Sequence, residues 1–157
     1  MRVIISNRIA TEQIGNKLWV LTKPFNFEVE GLFYKIEPGF VFDGNSNVRA
    51  LWSICPIMGG GYSEAGLVHD YLYSLDSADI LTRKQADQVH REIAKKRGVN
   101  FVRRFLVYWA LRLCGKKNYK KCYSIDKITE ETCYIKSVAL NTAMMIKKGY
   151  QSWNPTS

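Results

Sequence analysis

The sequence holds no Cys-x-x-Cys pair, and its four cysteines, Cys55, Cys114, Cys122 and Cys133, are irregularly spaced. That excludes a zinc ribbon and a thioredoxin-like redox motif. An even count leaves pairing open, but a chain of 157 residues can build a core without disulfides, so free thiols are expected. Neither GxGxxG nor a Gly-Lys-Ser/Thr ending occurs, so no phosphate loop of either kind is present. The longest apolar run is far short of a membrane span. The first residues lack a charged region followed by an apolar core and a cleavage site, which leads to the expectation of a soluble protein made and kept in a cytoplasm, or assembled there into something larger. Histidine is scarce, with two in the whole chain.

Acidic residues are scarce in one region. Arg83 to Lys121 carries 13 Lys or Arg against two acids, Asp87 and Glu92, a surplus of +11, while the remainder of the chain sums to −2. The whole net charge of +9 therefore belongs to this segment. Such a patch attracts phosphate-rich partners in a salt-dependent way, or is simply a set of solvated helix faces. Arg103, Arg104, Lys116, Lys117, Lys120 and Lys121 are the candidate nucleic-acid contacts, with Tyr108, Tyr119 and Tyr123 available for stacking.

The first forty residues read as strands. Met1–Ser6 and Leu18–Leu21 are β-branched or aromatic, and Phe25–Val29 alternates with period two. A turn at Glu30-Gly31 leads into Leu32–Ile36, and Phe40–Phe42 follows Pro38-Gly39. One small antiparallel sheet of hairpins is expected. Asp43-Gly44-Asn45-Ser46-Asn47 is a turn, Trp52 a core anchor, and Gly59-Gly60-Gly61 a hinge or a place of close approach.

Helices follow. Ser63 is placed as N-cap of a helix running to about Leu75. Thr82-Arg83-Lys84-Gln85 has the capping-box form, and the helix it opens should end at Gly98. Asn100 caps a third helix, Phe101–Cys114, stopped by Gly115 and apolar over most of its surface, hence expected at the centre of the fold. A last helix, Thr129–Lys148, carries Ile135, Val138, Ala139, Met145 and Ile146 on one side. The expectation is a single α+β domain over 1–150, β-rich in 1–42 and helical in 63–149, with a small sheet against about four helices and a tail at 151–157.

His69-Asp70 lies inside an apolar, aromatic run, where ionisable groups are costly to place. Antiparallel packing of the first two helices lets His69 and Asp87 face each other, with Asp43 arriving from the turn after the sheet. An Asp on one imidazole nitrogen fixes the tautomer and frees the other as general base toward water. Neighbouring carboxylates, Asp70 and Asp43, suit a hard cation, Ca²⁺ or Mg²⁺. Ser46, Tyr73 and Arg83 are supporting positions. The competing reading is a buried polar clasp, with Arg83-Asp87 an intrahelical ion pair and His90, among Gln88, Arg91 and Lys95, a surface residue.

Phe42-Asp43-Gly44-Asn45-Ser46, then Trp52, then Val68-His69-Asp70-Tyr71-Leu72-Tyr73, then Arg83-Lys84-Gln85-Ala86-Asp87 and Gly98-Val99 resemble, in order, the motifs of DUF1353, a bacteriophage and prophage family of unknown function. The resemblance spans about residues 1–115. It departs from the family's pattern at Asn45, in place of Ala, and at Asn47-Val48, in place of Val-Pro. It implies a phage origin and, with it, the host cytoplasm or the virion as location and other phage proteins as partners. Locally, a glycine-rich loop, a His-Asp-x-x-Tyr helix and an Asp on an antiparallel helix are similar to secreted phospholipases A2. In those enzymes the His activates water, its neighbouring Asp binds calcium and the distant Asp orients the His. Carried over, the similarity implies His69 as base, Asp70 as cation ligand and Asp87 as orienting group. Two functions follow: a small hydrolase of a lipid, ester or phosphoester, or a non-catalytic virion, tail or host-takeover protein whose working surface is the basic segment.

Overall fold

Phe25, Phe27 and Val29 point inward from one strand while Asn26 and Glu28 turn outward, the period-two pattern of a sheet with one buried face. The computed structural model describes residues 1–15, 18–44, 59, 61–74, 81–117 and 119. Six strands precede three helices: β1 Val3–Ile5, β2 Thr11–Gly15, β3 Leu18–Leu21, β4 Phe25–Val29, β5 Leu32–Ile36, β6 Val41–Phe42, α1 Ser63–Tyr73, α2 Arg83–Lys96 and α3 Phe101–Cys114, the last continued by a 3₁₀ turn, Gly115–Lys117. The described residues are thus α+β. Trp52 and the segment read as a last helix, Thr129–Lys148, lie outside them. No helix among the described residues is long and apolar enough to cross a membrane.

The strands form two antiparallel sheets rather than one, β1-β4-β5 and β2-β3-β6. Glu30 and Gly31 both take positive φ, 50° and 86°, which matches the twist that a two-residue hairpin between β4 and β5 requires. Strand β2 has no counterpart in the sequence reading. Thr11-Glu12-Gln13-Ile14-Gly15 is mostly polar, carries a register shift between Gln13 and Gly15, and owes its conformation to pairing with β3.

The caps follow local chemistry. Thr82 and Gln85 form the reciprocal capping box of α2, and the Asn100 side chain accepts from Val102 N–H at the start of α3. Ser63 is the first residue of α1 rather than its cap, and its hydroxyl accepts from Gly59 N–H at 2.7 Å. Gly115 has an ordinary helical φ of −71°, so it is not a left-handed stop. A Cβ there would lie 3.0 Å from the Tyr73 hydroxyl, a tight contact that glycine avoids.

Among the described residues the most buried helix is α1, not α3. Leu67, Val68 and Leu72 are fully buried, in one core cluster with Phe25, Phe42 and the α2 residues Ala86, Val89 and Ile93. Ala65 and Gly66 let neighbours close on a helix that buries eight of its eleven residues. Helix α3 buries only Val107 and Leu111, while Phe101, Val102, Phe105, Leu106, Trp109 and Leu113 are exposed. Its apolar composition therefore does not report a central position.

Helices α1 and α2 run antiparallel, as two contacts at opposite ends show. Tyr73 meets Asp87, and Glu64 pairs with Arg97 at 3.0 Å. Gly61, at φ +83°, enters α1 beneath the end of α2, where a Cβ would lie 2.9 Å from both the Arg97 carbonyl and Val99 Cγ2. Gly61→Ala is expected to destabilise the protein by about 2 kcal/mol through backbone strain and overpacking together, read as a lowered midpoint in urea.

Candidate functional site

His69 and Tyr73 are one turn apart on α1 and so share a face. Opposite them, α2 supplies Asp87, which is 0% exposed. Asp87 Oδ1 accepts from the Tyr73 hydroxyl at 2.5 Å and lies 3.0 Å from His69 Nε2, and Oδ2 accepts from Arg112 Nη1 of α3 at 2.8 Å. Burial alone would push the Asp87 carboxyl up, but His69, Tyr73 and Arg112 outweigh it and hold the group below the usual carboxylate range. Burial and the adjacent Asp87 push Tyr73 up, so its hydroxyl keeps its proton and remains a donor.

An ionised Asp87 accepts only, so the ring nitrogen against it, Nε2, carries hydrogen. In the neutral imidazole the lone pair then belongs to Nδ1, which faces Asp70 Oδ1 at 3.8 Å, beyond direct hydrogen-bond reach. Burial works to lower the His69 pKa, but Asp70 and Asp87 prevail and raise it. The ring is 4% exposed and tilted against Tyr73, 3.9 Å between centroids.

Asp70 is mostly buried and points back toward the end of the sheet, where Oδ2 accepts from Gly44 N–H at 3.0 Å. Burial is the main cause that pushes its carboxyl up to about 7, with the neighbouring Asp43 carboxyl adding to the rise and His69 opposing it. Asp43 and Asp70 thus form a carboxylate pair on the Nδ1 side of the imidazole. No group of three or more His, Cys, Asp or Glu able to hold a metal occurs among the described residues.

The structure therefore brings His69, Asp87 and Tyr73 together, and sets Asp70 with Asp43 beside them. Arg83 does not pair with Asp87. Its Nη2 reaches the Arg112 carbonyl at 2.7 Å, and Arg112 takes the carboxylate. Ser46, Lys120 and Lys121 lie outside the described residues. Of the other basic candidates, Arg103 and Lys116 are exposed, Arg104 is half-buried over the Phe101 ring, and Lys117 closes the 3₁₀ turn.

His90 is a correction. It is 1% exposed, with its ring between Tyr62 and His69 at centroid distances of 6.0 and 5.4 Å. Its polar sequence neighbours hid this, yet Ala86, Val89, His90, Ile93 and Ala94 follow the i, i+3, i+4, i+7, i+8 stripe of a buried face. Arg112 is the member of this network that the sequence alone does not point to. It is 25 positions from Asp87, and no local pattern connects the two. A cavity of about 540 Å³ at the start of α1, with Arg8, Glu64, Lys96 and Arg97 among its lining, includes none of His69, Asp70 or Asp87.

A family model described as a protein of unknown function, DUF1353, matches residues 19–111, more than half of the chain. No curated protein and no solved structure matches it.

Burial first, and then His69, push the His90 pKa down to about 3. The unfolded imidazole, near 6.5, binds a proton that the folded one refuses until about pH 3, so this residue costs stability progressively as pH falls through that window. The raised pKa of His69 works in the opposite sense, adding stability at low pH that is lost as pH rises. Comparing wild type with His90→Phe isolates the first effect. The variant is expected to lack up to about 1.4 kcal/mol per pH unit of acid-side slope in urea unfolding below pH 6.5.

Proposed function

The chain belongs to the DUF1353 family, and from the geometry around His69 we propose that it is a small hydrolase in which His69 activates water toward an ester or phosphoester. The observation that carries this reading is the division of the imidazole. Nε2 is committed to an ionised carboxylate, and Nδ1 is turned to the opposite side, toward Asp70. Water at Nδ1 gives up a proton to His69 as its oxygen bonds to the substrate's carbonyl carbon or phosphorus. The imidazolium so formed is stabilised by Asp87, and its proton passes to the leaving oxygen as that bond breaks. Tyr73 and Arg112 act as positioning residues, fixing both oxygens of Asp87 so that it can orient the ring.

Asp43 and Asp70 are hard oxygen donors, and two carboxylates suit Mg²⁺, which keeps much of its own water, better than a full Ca²⁺ cage. When bound there, the cation would polarise the substrate oxygen and carry developing negative charge. In this reading the protein is a phage or prophage product acting in the host cytoplasm or carried in the virion, a setting supported by the order of its family motifs.

The enclosure of His69, 4% exposed, favours a second reading in which the same network is a clasp that fixes α1 on α2 in a non-catalytic phage protein. Turnover of chromogenic esters and phosphodiesters with Mg²⁺ or Ca²⁺ separates the two, with thermal unfolding measured alongside. The hydrolase reading expects wild-type turnover, and a loss of about 10²–10⁴-fold in a folded His69→Asn variant. Absent turnover by wild type, or full turnover by His69→Asn, would leave the clasp in its place.

A further inference from the structure

The exposed residues of α3 form one continuous stripe. At 100° per residue, Phe101, Val102, Phe105, Leu106, Trp109 and Leu113 fall within about 140° of one face, opposite Val107 and Leu111, which pack on α2. Their exposures run from 40% to 77%. A contiguous surface of this kind on a helix marks an interaction site rather than scattered surface apolarity.

The edges of the stripe are cationic. Arg91 of α2 lies 6.0 Å from the Phe101 ring centroid, exposed Arg103 borders the far side, and exposed Lys116 follows the helix end. The surrounding segment holds the chain's entire positive surplus. An apolar face carrying Trp and Phe, rimmed by Arg and Lys, is the composition of a helix that lies in the plane of a lipid interface. We infer that α3 docks this protein peripherally on an anionic phospholipid surface, with its aromatic stripe among the acyl chains and its cationic edges at the headgroups.

Charge and shape select this occupant. Single-stranded nucleic acid fits the cations and would stack on Phe and Trp, but Val102, Leu106 and Leu113 offer no ring to a base and favour hydrocarbon. A second copy would set cationic rims against cationic rims, at +9 per chain. An anionic bilayer satisfies the stripe and its edges together, since each Lys or Arg near such a surface adds to the attraction. The docking goes beyond the hydrolase reading and does not depend on turnover.

The test is co-sedimentation of the full-length protein with phosphatidylcholine vesicles, with and without phosphatidylglycerol. Binding is expected on the anionic vesicles, weakened by salt, and small on the neutral ones. Phe105→Ser/Trp109→Ser removes two exposed rings without touching the described core, and should lower the vesicle partition about tenfold or more while leaving the melting temperature within a few degrees. Arg103→Glu should weaken binding mainly at low salt. Absence of binding to anionic vesicles at low salt overturns the proposal, as does binding that the double variant leaves unchanged. A wild-type dimer that the double variant splits assigns the stripe to a second copy and overturns it too. Because binding is read on wild type without any substrate assay, an inactive protein that still binds vesicles rejects the hydrolase and keeps the docking.

Discussion

A carboxylate with no exposed surface is the constraint around which the helices are arranged. Asp87 would be expensive to bury alone, since an ion moved out of water loses several kcal/mol even after relaxation. It is retained because three side chains from two helices converge to satisfy it: His69 and Tyr73 from α1, and Arg112 from α3. Each donor fixes a distance between helices. Tyr73 and His69 set the register of α1 on α2, and Arg112 draws α3 across α2 so that its backbone carbonyl also receives Arg83. Gly115 completes the arrangement by leaving room for the Tyr73 hydroxyl. Removing one donor leaves a buried charge short of a partner, so the parts of this network stand or fall together.

The same constraint divides the imidazole between two carboxylates. An imidazole pinned through Nε2 to an anion has its lone pair directed the other way, and there the sheet ends deliver Asp43 and the Gly44 amide to Asp70. The two carboxylates flanking His69 differ in kind. Asp87 is surrounded by donors, which hold its carboxyl below the usual range, whereas Asp70 has burial and a neighbouring carboxyl against it and is pushed up to about 7. Divergent protonation of adjacent carboxylates is how one small site can hold an orienting anion and a cation- or proton-accepting group together. His90, kept neutral by burial, fills the space behind His69 without adding a charge that would compete for Asp87.

Much of this was legible residue by residue. The alternation in Phe25–Val29, the turn at Glu30-Gly31, the capping box at Thr82 and Gln85, and the Asn100 cap each depend on neighbours within a few positions, and each is found where the local pattern places it. The facing of His69 and Asp87 follows from two helices joined by a short connection. Strand β2 was not legible, because its polar residues become a strand only when β3 pairs with them. Nor was the division of the strands into two sheets, which depends on which edges meet rather than on any strand's own pattern. The apolar content of α3 misled, because hydrophobic residues on a helix report that a face needs covering and do not say by what.

By itself the sequence determined most of the local elements, the presence of ionisable His69, Asp70 and Asp87 on helices able to face each other, and the concentration of positive charge in one segment. Periodicity and capping are short-range properties, written in consecutive residues, whereas the shifted pKa values of Asp87 and His90 come from burial and from partners distant in sequence. Only the tertiary structure decided that Arg112 rather than Arg83 holds Asp87, that His90 is enclosed, and that, among the described residues, α1 is the most buried helix and α3 keeps its aromatic stripe exposed. Those outcomes depend on which surfaces compete for burial once the helices and sheets meet, and the best-satisfied arrangement of one buried charge settled much of that competition.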